Sequence, residues 1–312
     1  MSYETSHAHL LDELDRIRVL LEHYVEKDSV PAAERSTESA PSPTLDPTAL
    51  SPAVPDEVRT VLDDRLEEIS RRCRETPVDT TLRLRVLAEQ FDLSRNHLDV
   101  LLVALAPTVD SSFRNLFREA GDSRRIDFPT TDLVERLFGT SRQNQLTAFG
   151  LVDDDSPLRR HDLLRVEPVD EDSRSRRALR PSDRLHSYLK GTGGFDTELA
   201  DAVSITEPQT SLDDLRLDDH LQRRVEVLRN QRDDCLTNPN AEPSVHYFHG
   251  REGSEKCRAV DALVDGRLLR GDLDAILAAD QLDRFHREAL LQDCPVHLTN
   301  VSEATRDPGP DP

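Results

Sequence analysis

Tryptophan is absent from the 312 residues, lysine occurs only at Lys27, Lys190 and Lys256 among 40 basic residues, and apolar residues make up just 36% of the chain. No apolar run approaches the ~18 residues that a membrane-spanning helix needs, so no membrane partner is expected. Cys73, Cys235, Cys257 and Cys294 lie far apart, with no C-x-x-C pair and no histidines at ligand spacing. That pattern excludes a zinc module and a disulfide framework, and leaves separate reduced thiols of the kind a cytosol maintains. The chain opens Ser2-Tyr3-Glu4 and not with a basic region followed by an apolar stretch. No signal peptide is therefore expected, and a cytoplasmic location is.

What is abundant is acid. Against 40 basic residues stand 61 acidic ones, for a formal net charge of −21. Carboxylates hold water and salt screens their mutual repulsion, so the expectation is an acidic, halophilic protein kept soluble in concentrated salt. Apolar periodicity persists through most of the chain, which argues for a folded protein over plain disorder. At about 100–200 residues per domain, the length has room for two domains.

Residues 1–27 read as one helix. Tyr3, His7, Leu10, Leu14, Ile17, Leu21 and Tyr24 recur at alternating steps of four and three, the a/d spacing of a coiled coil. Two fates suit so short a seam equally: docking or oligomerisation, or folding back on the body. Residues 28–54 are rich in Ser, Thr, Pro and Glu, and read as a disordered tether.

The body, residues 55–190, begins with an amphipathic helix carrying Val58, Val61, Leu62, Leu66 and Ile69 on one side. A second helix, Leu82 to Phe91, turns through Asp92-Leu93-Ser94 into a third, with Ser94 as its N-cap, a helix-turn-helix pattern. Further short helices are expected at Phe113 to Ala120, Thr131 to Phe138 and Arg142 to Phe149. Leu151-Val152 and Leu163 to Val166 flank the polar run Asp153 to Asp162, which predicts a β-hairpin wing. Helices followed by a wing amount to a winged-helix body.

Winged helices often bind DNA, and Arg159-Arg160-His161 with Arg174, Arg176, Arg177 and Arg180 would suit that task. The third helix argues the other way. From Leu98 to Leu105 it is almost wholly apolar, whereas a helix in the major groove needs polar side chains aimed at base edges. A strongly acidic chain also attracts phosphate poorly. Protein binding is the expected role, and the arginines read as solvated faces or partners for carboxylates.

After a helical connector, residues 191–243, comes the stretch Gly250-Arg251-Glu252-Gly253-Ser254-Glu255-Lys256-Cys257. The P-loop pattern G-x-x-x-x-G-K-[ST] asks for glycine at Glu255 and a hydroxyl at Cys257. A carboxylate among amides that cradle phosphate repels the ligand, and a thiol suits Mg²⁺ poorly. Gly250, Gly253 and Lys256 keep the frame, so they are the candidate cofactor-binding residues, with ATP bound weakly or not at all. The apolar run Val245 to Phe248 reads as the strand before the loop, followed by a helix from Lys256 to Val264. A second strand follows at Arg267-Leu268-Leu269, then helical text from Leu273 to Asp293, and a third strand at Val296-His297-Leu298. This β-loop-α-β-α-β order predicts a partial α/β module over residues 244–304. No aspartate closes its third strand where a Walker B acid would stand, and Glu303 is the nearest carboxylate. Residues 305–312 support neither helix nor sheet, so a half-sheet is expected, completed by another polypeptide or left short.

Leu84 to Ser94, Asp99 to Pro107 and Ser156 to Arg165 together resemble the N-terminal winged-helix domain of a family of AAA-type ATPases. Arg180 to Leu185 fits the start of the helix that leads onward. The resemblance covers roughly Pro55 to Glu303 and implies an AAA module whose Walker A positions are matched by Gly250, Gly253 and Lys256 alone. The expected protein is thus a coiled-coil helix, an α-rich winged-helix domain and a truncated, degenerate AAA half-domain. Its expected role is a non-catalytic adaptor that engages an AAA-type ATPase subunit or itself. The alternative is a winged-helix DNA-binding transcriptional regulator.

Overall fold

A computed structural model describes residues 2–29, 54–120, 126–139, 147–169, 177–237, 245–251 and 255–301. The chain divides into two compact units, Met1–Phe195 and Asp196–Pro312.

The first unit is mostly helical. Its helix α1 (Ser6–Ser29) packs against α2 (Asp56–Glu75), α4 (Arg95–Val109) and α5 (Phe113–Ala120). Leu10, Leu14, Ile17, Leu20 and Leu21 are buried, a stripe wider than a two-position seam and so suited to a globular core. Of the two fates open to the N-terminal helix, the structure has the fold-back. Its seam is filled from within the same unit, so the expected coiled-coil element is corrected to a core helix. The tether at 30–53 lies outside the described residues.

Helix α3 (Arg83–Gln90) ends in a tight turn, where Asp92 adopts φ 49° and the Leu93 amide donates to Ala88 O at 2.9 Å. Ser94 then opens α4 as expected. Its hydroxyl accepts from the His97 amide at 3.4 Å, while its own amide donates to His97 Nδ1 at 3.2 Å. Every residue of α4 from Asp99 to Pro107 is buried. The described residues of this unit also form α6 (Thr131–Phe138), α7 (Pro157–Arg160) and α8 (Asp183–Lys190).

The wing exists, but one strand later than expected. It is formed by β1 (Leu164–Pro168) and β2 (Arg177–Pro181), antiparallel from Leu164↔Pro181 to Pro168↔Arg177. Thr130 adds a bridge to Ala178 beside them. Leu151-Val152 is a turn, not a strand, and Asp153 to Asp162 is no hairpin tip because it contains α7. The cause is local: Pro157 at the first helical position lacks an N–H that a helix would leave unpaired anyway. Ser156 caps it, accepting from the Leu158 amide and donating to Leu151 O at 2.7 Å. The expected helix at Arg142 to Phe149 is described only from Thr147, where it is helical.

In the second unit, β3 (Val203–Thr206), β4 (Leu268–Asp272) and β5 (Val296–Thr299) form a sheet in that order. Its helices are α9 (Asp219–Thr237), α10 (Lys256–Ala262), α11 (Leu273–Ala278) and α12 (Leu282–Gln292). Strands β4 and β5 are parallel and joined through α11 and α12, the crossover that parallel neighbours require. That βαβ stretch is where the sequence placed it. Two expectations are corrected. The connector at 191–243 contains β3, antiparallel to β4, so it is not wholly helical. Val245 to Phe248 forms no strand: Val245 is 95% exposed, and without a partner for its backbone an apolar run has no reason to extend into a sheet. Arg287 of α12, fully buried, is ion-paired to Asp196.

Candidate interaction site

The candidate phosphate loop is taken first. Lys256 is the first residue of α10, and its Nζ donates to Gly250 O at 3.3 Å, closing on backbone of its own loop. Gly253 lies outside the described residues. The Glu255 carboxylate accepts from the Arg216 amide at 2.6 Å and from the Arg258 guanidinium at 2.9 Å, and makes no capping bond to the amides of its own helix. Among the described residues, 245–251 before the loop form no strand and the helix after it has seven residues. At the end of β5, Asn300 donates to Asp272 at 2.8 Å, and Asp272 also caps α11. Glu303 lies outside the described residues. Among the described residues no group of three or more His, Cys, Asp or Glu could hold a metal ion, and no helix is long and apolar enough to cross a membrane.

The arginines read as a DNA-facing wing are dispersed. Arg159 and Arg160 sit on α7, not on the wing, and Arg159 pairs with Asp154 at 2.6 Å. Arg180 lies on β2, pairs with Glu167 across the wing at 3.2 Å and covers the Phe128 ring at 4.7 Å. Arg177 is exposed at the start of β2. Arg174 and Arg176 lie outside the described residues. Helix α4, the second helix of the helix-turn-helix, is buried from Asp99 to Pro107, and Arg95 at its half-buried start is engaged by Glu13 and Asp99.

What the fold does bring together is a cleft of about 460 Å³. Helix α6 supplies Thr131, Asp132 and Glu135, the turn after Thr147 supplies Phe149, Val152, Asp153 and Asp154, and α7 and the wing supply Arg159, Val166 and Arg177. Four carboxylates thus face two guanidinium groups. Asp132 and Glu135 stand one turn apart on one helix face, close enough to feel each other. Burial pushes the Glu135 carboxyl up from its ordinary value, and the negative Asp132 adds to the push. Phe149 is half exposed, at 50%, on the apolar side of the cleft.

The model of the family "winged helix domain, variant" matches residues 1–203. The chain belongs to that family. The match starts at the first residue, as expected if α1 is part of the winged-helix domain rather than an appendage, and it includes the wing and the whole cleft. No curated protein and no solved structure gives a significant match. The candidate phosphate loop at residues 250–257 falls beyond the winged-helix match, and nothing in the comparisons connects it with AAA modules.

The winged-helix cleft was not visible as a site in the sequence. Asp132 and Glu135 look there like one more charged pair on an acidic helix, and Phe149 like one more core aromatic. The usable signal was the 132/135 spacing, but nothing local says that the wing folds over that face.

Proposed function

We propose that this winged-helix protein is a non-catalytic adaptor or regulatory component of the AAA-ATPase type, which recruits a protein partner through its first unit. The observation that carries this reading is the pair of surfaces a DNA-binding winged helix would use. The helix after the turn is buried along Asp99 to Pro107, and the charged side chains lining the cleft beside the wing are four carboxylates against two arginines. Phosphates need cations and base edges need polar side chains, so both features oppose DNA and favour a protein ligand. The non-catalytic half is supported by Glu255, a carboxylate at the position where the P-loop pattern has glycine, which accepts from the Arg216 amide and from Arg258.

Crosslinking mass spectrometry in the source cell tests the first half, with protein crosslinks on residues 1–195 as the expected result. Duplex DNA bound in a gel shift, and lost when Arg159 and Arg177 are both changed to Ala, would turn the assignment to a transcriptional regulator. ATP hydrolysis by the purified chain, abolished by Lys256→Ala, would overturn the second half.

A further inference from the structure

We infer that two copies of this chain associate by strand addition, the segment 245–248 of each copy pairing with the outer edge of β5 in the other. The inference concerns the second unit, goes beyond the adaptor reading and does not depend on it.

Both halves of the contact belong to this unit. Strand β5 ends the order β3-β4-β5, and among the described residues its second side meets no strand. The Leu269 amide donates to Pro295 O at 3.0 Å, so alternation along β5 turns the backbone N–H and C=O of Val296 and Leu298 to that open side. Natural edges are blunted by charged side chains or proline, yet β5 carries neither, and Val296 is 43% exposed. The opposite edge, β3, runs directly into Glu207 and Pro208. The segment 245–248 is the counterpart of the open edge. Val245, Tyr247 and Phe248 are residue types that favour strands, Val245 and Tyr247 are exposed, and the segment has no ladder of its own. It is already extended where the rings of Tyr247 and His249 lie 6.1 Å apart and within 22° of parallel, as side chains two residues apart do on one face of a strand.

Charge and symmetry select a second copy as the occupant. The chain has 61 acidic residues, yet none lies between Pro243 and Arg251 or between Pro295 and Ser302. At these two stretches, copies of a chain with net charge −21 can approach without carboxylates facing each other. Within one copy the loop behind the segment is fastened elsewhere: Lys256 Nζ donates to Gly250 O, the Glu255 carboxylate takes the Arg216 amide, and Arg258 donates to Asp214 O at 3.1 Å. Exchange is reciprocal, so two copies close on each other about a two-fold axis. A nucleic acid finds no cation along β5. The contact is short, which places the dimer in the weak class that buries less than about 1,200 Å².

The test follows the mass of the full-length protein by sedimentation over a concentration series in about 0.1 M and about 1 M KCl, between which the screening length falls from about 10 Å to about 3 Å. Dimer should grow with concentration, and form more readily at the higher salt, because screening removes the repulsion between copies while the contact itself contains no ion pair. Hydrogen exchange should show residues 245–248 and 296–299 better protected in the dimer than in the monomer. Tyr247→Lys and Val296→Lys should each raise the concentration needed for dimer by roughly tenfold. Leu277→Lys, which adds the same charge at an exposed apolar site of α11, should not. Thermal midpoints equal to the parent's separate lost association from lost folding, and the exchange pattern of the parent stands as a test whatever the variants do. A chain that stays monomeric at both salt concentrations overturns the inference. So does full protection of 245–248 in the monomer, which would mean pairing within one chain, and so does a dimer whose newly protected amides lie in residues 1–195. Equal losses in the Leu277 and Val296 variants would also sink it, since the contact would then not be the β5 edge.

Discussion

His9 and Glu13 show what single residues contribute beneath the apolar stripe of α1. Glu13 and Arg16 are almost fully buried, and with Arg95 and Asp99 of α4 they form a four-membered charge cluster. Arg95 reaches Glu13 through two nitrogens, at 2.7 and 2.5 Å. Burial pushes the Glu13 carboxyl up, but the hydrogen bond and charge of Arg95, helped by Arg16, outweigh it and hold the group below its ordinary value. His9, buried and tilted against Tyr3 with ring centroids 5.1 Å apart, is moved down by burial despite the opposing pull of Glu13. Both shifts act in the same direction on stability. As pH falls below about 6.5 the unfolded chain protonates its histidine before the folded one does, so stability drains from there toward the folded value. Further down, below about 4.3, the unfolded carboxyl of Glu13 also takes up its proton first. His9→Phe keeps the ring and removes the titration, so its thermal midpoint should fall less between pH 7 and pH 5 than that of the parent. Parallel declines in the two proteins would refute the assignment. Heptad spacing located Leu10, Leu14, Ile17 and Leu21 of α1 but missed the buried Leu20 and included the exposed His7, and it treats Glu13 and Arg16 as exposed because their partners come from a helix some eighty residues away.

Among the elements, those governed by local chemistry were the legible ones. Ser94 announces α4, and the βαβ stretch from Leu268 to Thr299 follows from its periodicities. Pro157 behind Ser156 was an equally local signal for α7, but the flanking apolar pairs pointed to a hairpin and outweighed it. Strand β3 could not be read at all, because Val203 to Thr206 is ordinary text until β4 offers it hydrogen bonds. The same dependence on a partner leaves Val245 to Phe248 outside any sheet. Gly271 in β4 tests how tightly this sheet meets its helices. A Cβ there would come within 2.9 Å of Ile276 Cδ1, 3.0 Å of Phe285 Cε2 and 3.3 Å of Leu298 Cδ2. Gly271→Ala should therefore destabilise the second unit by about 1–3 kcal/mol through overpacking. Urea unfolding, followed by proteolysis to report on each unit separately, would show it as earlier cleavage confined to residues 196–301. A neutral or stabilising result would mean the packing is looser than these distances indicate.

For the whole molecule, the surplus of 61 acidic over 40 basic residues is the dominant quantity. If that surplus is an adaptation to concentrated salt, as we propose, self-repulsion should weaken as the screening length drops from about 10 Å at 0.1 M to about 3 Å at 1 M. The thermal midpoint should then climb with added KCl, most steeply at the low end; a flat or falling curve would remove the halophilic reading. Composition, helix capping and the 3.6-residue period are properties of neighbouring residues, and by themselves they determined the acidic surface, most helices of the first unit and its winged-helix class. What α1 packs against, which strand pairs with Val203 to Thr206, and the meeting of Asp132, Glu135 and Phe149 beside the wing were decided only in three dimensions. Each of those depends on partners distant in the chain, and their burial and backbone pairing are energies that no local window of sequence contains.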